Sequence, residues 1–265
     1  MLQRVNGAVE PKNKLVRKAF IMLRAFHGAE EGLTSQELSQ RARLPKASGH
    51  RLIQTLEDIG AVMRGPDGRY RLGMTLLSLS HDVAVDNLLR DTSHTVLKEI
   101  SDRLDLTVHL GVLQDGMVTY VAQFDDSTNF AADSRVKERQ EAYCSALGKV
   151  LLASLTPCAL ETFIQDSDLV ALTARTITDP VLLRAEIDKV RASGFAMDDE
   201  EALAGVRSIA VPICDSDGRT VAAISATDDA ACMDEAQLHE AREALLGAAL
   251  TIGRKIFRGM ALLPV

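Results

Sequence analysis

The feature that most constrains the fold lies in residues 34–72, where signals for two short helices and a hairpin follow closely on one another. Thr34 and Glu37 have the spacing of a capping box, which predicts the start of a first helix. Pro45 ends that helix, because proline suits the first turn of a new helix better than the end of an old one. A second helix is therefore predicted over 46–58, with its apolar residues facing inward.

A β-hairpin is predicted directly after the second helix. Gly60 suits a left-handed helix cap, and extended segments at 61–64 and 69–72 flank a Gly-Pro-Asp-Gly turn. A further amphipathic helix is predicted over 15–27, with one apolar face formed by Leu15, Ala19, Phe20, Leu23 and Phe26. A helix, a helix-turn-helix and then a hairpin is the order of a winged helix-turn-helix.

Charge divides the chain in the same place. Residues 1–80 carry 13 Lys and Arg against 7 Asp and Glu, whereas residues 81–265 carry 17 against 30. The first part therefore has a net charge of +6 and the second a net charge of −13, within a total of −7. A basic module is attracted to a polyanion such as DNA, and an acidic one is repelled by it, so the two parts are expected to have different tasks.

The rest of the chain mixes helices with hairpins. A helical stretch is predicted over about 74–90 and another over 92–103. Two hairpins follow, formed by 107–113 with 117–124 and by 207–214 with 220–227, and helices are predicted at 145–155, 157–165, 180–193 and 234–260. Hairpins imply antiparallel pairing, so the expected fold class is α+β, with an antiparallel sheet flanked by helices.

The predicted organisation has three parts. Residues 1–73 form the winged helix-turn-helix, residues 74–91 form a linker helix, and residues 92–265 form the second domain. A chain of 265 residues fits two domains of ordinary size.

The second helix of a helix-turn-helix enters the major groove with its N-terminal residues foremost. Its predicted contacts, joined by two residues of the first helix, are Ser35, Gln36, Lys46, Ala47, Ser48, His50 and Arg51. Three arginines beside the hairpin turn suit a wing on the sugar-phosphate backbone, namely Arg64, Arg69 and Arg71. One wing arginine could instead pair with Glu57 or Asp58, and the whole helix could be no more than a solvated basic face.

Several other classes of protein are disfavoured. No run of about 18 apolar residues predicts a membrane span, and the first residues do not resemble a secretion signal, so a cytoplasmic location is expected. The four cysteines are widely spaced, which favours reduced thiols. His109 and His239 lack neighbouring ligands at zinc spacing, and the common catalytic motifs are absent. No metal, no cofactor and no enzymatic activity are therefore predicted.

Three blocks of sequence, in order, resemble the IclR family of transcriptional regulators over about residues 12–260. They are GLTSQELSQRARLPKASGHRLIQTLEDIGAVMRGPDGRYRLG, AYCSALGKVLLASL and DDEEALAGVRSIAVPICDSDGRTVAAISAT. The resemblance implies an N-terminal winged helix, a linker helix and a C-terminal effector-binding domain of the GAF/profilin-like kind. It also implies dimers, often paired into tetramers, that bind palindromic double-stranded DNA operators.

The sequence departs from the family pattern at three positions. Arg43 stands where the family usually has glycine in the helix-turn-helix turn, which costs about 1–2 kcal/mol if that residue is left-handed. Gly49 stands where a β-branched residue is common, either for close approach of the backbone to DNA or as a packing exchange. Ser208 replaces a cysteine found in many relatives, which makes the expected ligand site more polar.

The resemblance also implies where a small effector binds. The positions carried over are Ser145, Ala146, Leu147, Asp198, Ser208, Ser225 and Thr227, and residues 129–132, with Phe130 and Ala132, are expected on the opposite wall. Amides at a helix N-terminus can bind a carboxylate, and the hydroxyls can donate to it. Asp198 has three interpretations: it accepts a ligand hydroxyl, it pairs with a cation such as Arg207, or it only caps a turn.

The sequence thus predicts a DNA-binding protein with a second domain, and the resemblance implies a ligand-responsive regulator of a catabolic operon that acts as a homodimer or homotetramer. A small organic or aromatic acid is the expected effector. One alternative is a DNA-bound oligomeric scaffold without an effector, and another is an enzyme in which the N-terminal part serves assembly only.

Overall fold

The computed structural model describes residues 13–29, 31–81, 83–125 and 139–257. The predicted ligand contacts Phe130 and Ala132 lie outside the described residues. The chain divides into two compact units, the first running through Ala84 and the second beginning at Val85. No helix in the described part of the chain is both long enough and apolar enough to cross a membrane.

The first unit contains three helices and a small antiparallel sheet. Helix α1 spans Lys14–Arg24, α2 spans Ser35–Arg41 and α3 spans Lys46–Asp58. Strands β1 (Val62–Arg64) and β2 (Tyr70–Leu72) pair in antiparallel fashion, and Leu33 forms a bridge to Tyr70 on the outer side of β2. The predicted helix-turn-helix followed by a wing is confirmed.

The buried face of α1 differs from the predicted one. Leu15 and Phe20 are 66% and 57% exposed, whereas Met22 is fully buried and Phe26 is 7% exposed. The helix ends at Arg24, so Phe26 enters the core from the turn after it and does not share the helical period assumed for 15–27. The helix is consequently oriented with Met22 toward the core.

Two separate helices occupy the segment predicted as a linker helix followed by another helix. Helix α4 spans Met74–His81, and α5 spans Val85–Leu104 without a break at the predicted boundary near 91. The expectation of one helix over 74–90 is therefore wrong. None of the described residues of α4 is buried, whereas α5 buries Leu89 and Leu97 in the core of the second unit.

The second unit is built on a six-stranded antiparallel sheet with strand order β5-β4-β3-β8-β7-β6. Its strands are β3 (Thr107–Gln114), β4 (Met117–Phe124), β5 (Arg139–Glu141), β6 (Ala196–Asp199), β7 (Val206–Cys214) and β8 (Thr220–Asp229). Both predicted hairpins are present, as β3–β4 and β7–β8. The two short outer strands, β5 and β6, were not predicted.

Helices cover both faces of this sheet. Helices α5 and α9 (Glu235–Ile256) pack on one face, over a core that contains Val108, Ile209 and Ile224. Helix α6 (Ala146–Ala153) contacts the opposite face, whose core includes Ala196, Ala210 and Ala223 together with residues of α7 (Pro157–Asp166) and α8 (Pro180–Ser193). Because side chains alternate along a strand, sheet residues away from the register shifts at 110–111 and 213–214 can be assigned to one of these faces.

Candidate functional site

Helix α3 buries one face and exposes a polar one. Leu52, Ile53 and Leu56 lie in the core, as predicted. Among the predicted DNA contacts of α3, Ser48 is partly exposed, and the exposed ones are Lys46, Ala47, His50 and Arg51. The N-cap residue is Pro45. Its side chain cannot accept a hydrogen bond, so it does not cap the first amides of α3.

The N-terminus of α2 is held by the predicted capping box. The Thr34 hydroxyl accepts a hydrogen bond from the Glu37 amide at 3.2 Å, and a Glu37 carboxylate oxygen accepts from the Thr34 amide at 2.7 Å. The next residue, Ser35, places its hydroxyl 3.4 Å from Nδ1 of His50 on α3. Two predicted contact residues are thus neighbours, and Gln36 beside them is exposed.

Gly49 is required by the packing of α3 against α2. It is buried, and a Cβ atom at this position would lie 2.2 Å from the Ser39 hydroxyl oxygen and 2.9 Å from the Ser39 Cβ. Of the two interpretations of this glycine, the packing exchange is the one that the structure supports. Approach of the Gly49 backbone to DNA is excluded, because this face of α3 points inward.

The turn between α2 and α3 contains a strained residue. Arg43 has φ 52° and is exposed. The family's usual glycine adopts this region freely, whereas an arginine does so at a cost of about 1–2 kcal/mol. The predicted cost depended on a left-handed conformation of Arg43, and the structure shows that conformation.

The three wing arginines differ in their partners. Arg71 forms two hydrogen bonds to the Asp67 carboxylate, and Arg69 donates to the Gly32 carbonyl at 2.9 Å and lies 3.5 Å from Glu37. The alternative pairing with Glu57 or Asp58 is therefore wrong. Arg64 is exposed, donates to the Gly68 carbonyl at 3.4 Å and lies over the Tyr70 ring at 5.7 Å.

The predicted ligand-site residues of the sheet come together on the face that α6 covers. Asp198 on β6 is opposite Ser208 on β7, which is opposite Thr227 on β8. Ser225, two residues from Thr227 on β8, points to the same face. Asp198, Ser208 and Ser225 are 4%, 6% and 3% exposed, so this is a buried polar patch.

Helix α6 begins close to this patch with a capped N-terminus. The Ser145 hydroxyl accepts from the Gly148 amide at 3.2 Å and donates to the Glu141 carbonyl at 3.0 Å. This hydroxyl therefore holds the start of the helix in place. Ala146 and Leu147 are the first two helical residues, and their amides have no acceptor within the helix. Gly148 permits this arrangement, since a Cβ there would lie 2.1 Å from the Ala142 carbonyl oxygen.

Asp198 caps the turn that follows β6. One carboxylate oxygen accepts hydrogen bonds from the amides of Glu201 and Ala202, at 2.7 and 3.3 Å. Asp198 therefore caps the turn, and acceptance of a ligand hydroxyl stays a prediction. Pairing with Arg207 is wrong, because Arg207 pairs with Asp199 at 2.7 Å. Burial raises the pKa of Asp198 to about 6, although the two amide hydrogen bonds oppose the shift.

A buried ion pair beside the patch was not predicted from the sequence. Lys149 on α6 has no exposed surface, and its Nζ lies 2.6 Å from a Glu201 carboxylate oxygen and 3.7 Å from Glu186 on α8. Burial raises the pKa of Glu201, and the Lys149 ammonium opposes that rise. A lysine inside the apolar run of α6 was the available signal, because a fully buried lysine requires a partner.

The described residues contain no group of three or more potential metal ligands. All four cysteines are free thiols, and burial raises the pKa of Cys144 to about 12. Neither observation adds a chemical activity to the buried polar patch.

The fold and these two surfaces define a class of protein: a winged-helix DNA-binding transcriptional regulator with a separate antiparallel-sheet domain. Residues 15–66 match the IclR helix-turn-helix domain, and residues 81–254 match the C-terminal domain of the bacterial transcriptional regulator IclR. The chain belongs to the IclR family, and it is a transcriptional regulator, not an enzyme.

Individual relatives agree with this assignment. The chain is 31% identical to the HTH-type transcriptional regulator XynR of Escherichia coli, over 91% of this chain and 96% of that one. It is 31% identical to the Pca regulon regulatory protein of Pseudomonas putida, over 84% and 77% of the two chains. Among solved structures, the Thermotoga maritima IclR is 27% identical with a TM-score of 0.60, over 91% of this chain and 98% of that one. An IclR homologue from Microbacterium hydrocarbonoxydans in complex with 4-hydroxybenzoate is 26% identical with a TM-score of 0.59, covering 92% and 99%.

Proposed function

We propose that this regulator binds a palindromic operator as a homodimer or homotetramer and that a small organic or aromatic acid modulates this binding, in the control of a catabolic operon. The observation that carries the proposal is the buried polar patch beneath the start of α6. A ligand-independent scaffold has no need of buried hydroxyls there, because burying polar groups without partners costs free energy. The relative that binds 4-hydroxybenzoate supports an aromatic acid as the first class to test.

The proposed division of tasks follows the sequence prediction. Residues 1–73 bind DNA, residues 74–91 link the domains with their last part already in α5 of the second unit, and residues 92–265 bind the effector and hold the oligomer together. The exposed polar face of α3 supports base contacts in the major groove by Lys46, Ala47, Ser48, His50 and Arg51, with Ser35 and Gln36 beside them. Arg64 is the wing residue best placed for a phosphate, since it donates only to a carbonyl at 3.4 Å among the described residues, whereas Arg69 and Arg71 each lie beside a carboxylate.

Replacement of Arg51 tests the DNA interface. Arg51→Ala is expected to weaken binding about tenfold or more to a duplex that the wild-type protein selects from a random-sequence pool, as measured by gel shift. Arg103→Ala is the matched control, because Arg103 is an exposed arginine on α5 and its loss changes the net charge equally. An unchanged midpoint for Arg51→Ala would remove this residue from the interface.

For the effector site, we propose that the carboxylate of the ligand binds at the amides of Ala146 and Leu147, with Ser208, Ser225 and Thr227 as hydroxyl partners. The hydroxyls of Ser208 and Ser225 form no hydrogen bond to another residue in the described part of the chain, so both are free to bind a ligand. Ser145 and Asp198 support the site by capping its helix and its turn. Side chains that already have partners are assigned supporting roles, and side chains without partners are assigned to the ligand.

The effector proposal is tested by melting the protein in the presence of carboxylic and aromatic acids. A ligand that binds only the folded state raises the melting temperature in a concentration-dependent way. Ser225→Tyr fills the patch and Ser225→Ala removes only the hydroxyl, and both are expected to reduce the shift. Ser216→Tyr, in the exposed turn between β7 and β8, is the control. A panel without any shift would favour the scaffold alternative.

A further inference from the structure

The buried polar patch extends beyond the predicted residues, to His109 on β3. His109 is directly opposite Ser225 on β8 and directly opposite Gln123 on β4. Directly opposite residues of paired strands point to the same face, so the three side chains form a row across the sheet. His109 is 4% exposed.

The same row lies on the face that α6 covers. Gly111 is two residues from His109 on β3, and a Cβ atom on Gly111 would lie 3.3 Å from Cδ1 of Leu147 in the first turn of α6. His109 therefore shares its face with the residues that contact the start of α6. The row and the α6 amides border one buried region.

The His109 ring is held in place by an aromatic neighbour. Its centroid lies 5.0 Å from that of the Tyr120 ring, at an interplanar angle of 45°. The Tyr120 hydroxyl donates a hydrogen bond to the side-chain oxygen of Gln140 on β5. A fixed ring presents its nitrogens in one direction, which is what recognition of a polar group requires.

Gln123 supplies an acceptor beside this ring. Its Nε2 donates to the Asp125 carboxylate at 3.1 Å, which fixes the orientation of the amide. Its Oε1 is buried and has no hydrogen-bond partner among the described residues. An unpartnered buried acceptor is costly, so it points to a donor supplied by a ligand. A second carboxylate on the ligand could not supply this donor, because it has no proton at neutral pH. A hydroxyl could, since it both donates and accepts hydrogen bonds.

We propose that His109 and Gln123 form a hydroxyl-recognition subsite, so that the effector is a hydroxylated carboxylic acid. Its hydroxyl donates to Gln123 Oε1 and pairs with a ring nitrogen of His109, while its carboxylate binds at the α6 amides. This inference rests on the effector site proposed above and adds the second polar group of the ligand.

Paired acids that differ in one hydroxyl test the subsite by isothermal titration calorimetry of the full-length protein. The probes are 4-hydroxybenzoate against benzoate and 4-hydroxybutyrate against butyrate. The wild-type protein is expected to bind the hydroxyl-bearing member of at least one pair about tenfold more tightly. His109→Phe, which keeps a ring beside Tyr120, and Gln123→Leu are each expected to bring that ratio close to one, with little change for the acid lacking the hydroxyl.

His94→Phe is the matched control, because His94 also packs against an aromatic ring, that of Phe124, with centroids 5.4 Å apart, on the side of the sheet that α5 covers. It is expected to keep the wild-type ratio. If His109→Phe fails to fold, the half-buried Gln123→Leu provides the same test. Binding of both members of each pair with equal affinity overturns the subsite alone, whereas binding of none of the four acids overturns the subsite together with the carboxylic-acid effector proposed above.

Discussion

Replacement of Lys149 by Met should destabilise the second unit strongly, because it removes the partner of a buried carboxylate. Glu201 is 7% exposed, and its nearest cation is the Lys149 ammonium at 2.6 Å. Breaking a buried pair by removing one member typically costs about 3–5 kcal/mol, because the remaining charge is left uncompensated. Natural proteins have a free energy of unfolding of about 5–15 kcal/mol, so the loss is a large share of the total. Urea denaturation measures it directly.

The matched control uses the same acidic neighbour at the surface. Both lysines place their ammonium near the Glu186 carboxylate, Lys189 at 3.4 Å and Lys149 at 3.7 Å. The Lys189 side chain, however, is 75% exposed. Lys189→Met should therefore change the free energy of unfolding by less than about 1 kcal/mol. The double variant Lys149→Met/Glu201→Gln should recover much of the loss, because no unpaired charge remains.

The pH dependence of the Lys149→Met variant has a definite sign. Burial already raises the pKa of Glu201, and loss of the ammonium removes an opposing effect, so the pKa rises further. A carboxyl with a raised folded-state pKa binds its proton more tightly when folded. Its destabilising effect is therefore largest above the folded-state pKa and disappears as the pH falls toward the unfolded-state pKa. The cost of Lys149→Met should shrink when the pH falls from 8 to 5. A cost below about 1 kcal/mol, or one that Glu201→Gln does not reduce, would refute this reasoning.

Three further variants test local features. Gly49→Ala should destabilise the first unit by about 1–3 kcal/mol in thermal unfolding, because its Cβ would overlap Ser39, and Ser39→Gly/Gly49→Ala should recover the loss. Asp198→Asn keeps the oxygen that caps the turn but cannot ionise. Because burial raises the pKa of Asp198 to about 6, the free energy of unfolding of the variant, relative to wild type, should increase by about 1–3 kcal/mol as the pH is raised from 4 to 7. No gain would show that the Asp198 carboxylate is not penalised by burial. Asp67→Ala releases Arg71 and removes a negative charge from the wing, so DNA binding should tighten and depend more steeply on salt, as measured by fluorescence anisotropy. Unchanged binding would place Arg71 away from the phosphates.

Features set by a few neighbouring residues could be predicted from the sequence. The capping box at Thr34 and Glu37 formed as expected, and so did the wing around its Gly-Pro-Asp-Gly turn. Helices α7 and α8 each begin with the predicted proline. Each of these signals acts over about four residues, so the sequence alone contains what is needed.

Features that depend on distant partners could not be predicted in the same way. Strands β5 and β6 have three and four residues, and they form only because β4 and β7 offer open edges. The inward face of α1 depends on where the chain turns after Arg24. The site shows the same limit: family resemblance supplied Ser208 and Ser225, whereas His109 enters only through the pairing of β3 with β8.

The buried polar patch combines two kinds of residue that the sequence could not separate. Ser145 and Asp198 already accept hydrogen bonds from backbone amides, so they hold the start of α6 and the turn after β6 in place. Lys149 joins these two elements through Glu201. The hydroxyls of Ser208 and Ser225 have no hydrogen-bond partner among the described residues, so a ligand can bind them without breaking an existing bond. A ligand bound to these hydroxyls and to the α6 amides would therefore contact a helix and a turn that are already joined by an ion pair. Because Lys149 also lies near Glu186 on α8, ligand binding would affect the packing of α6 against α8.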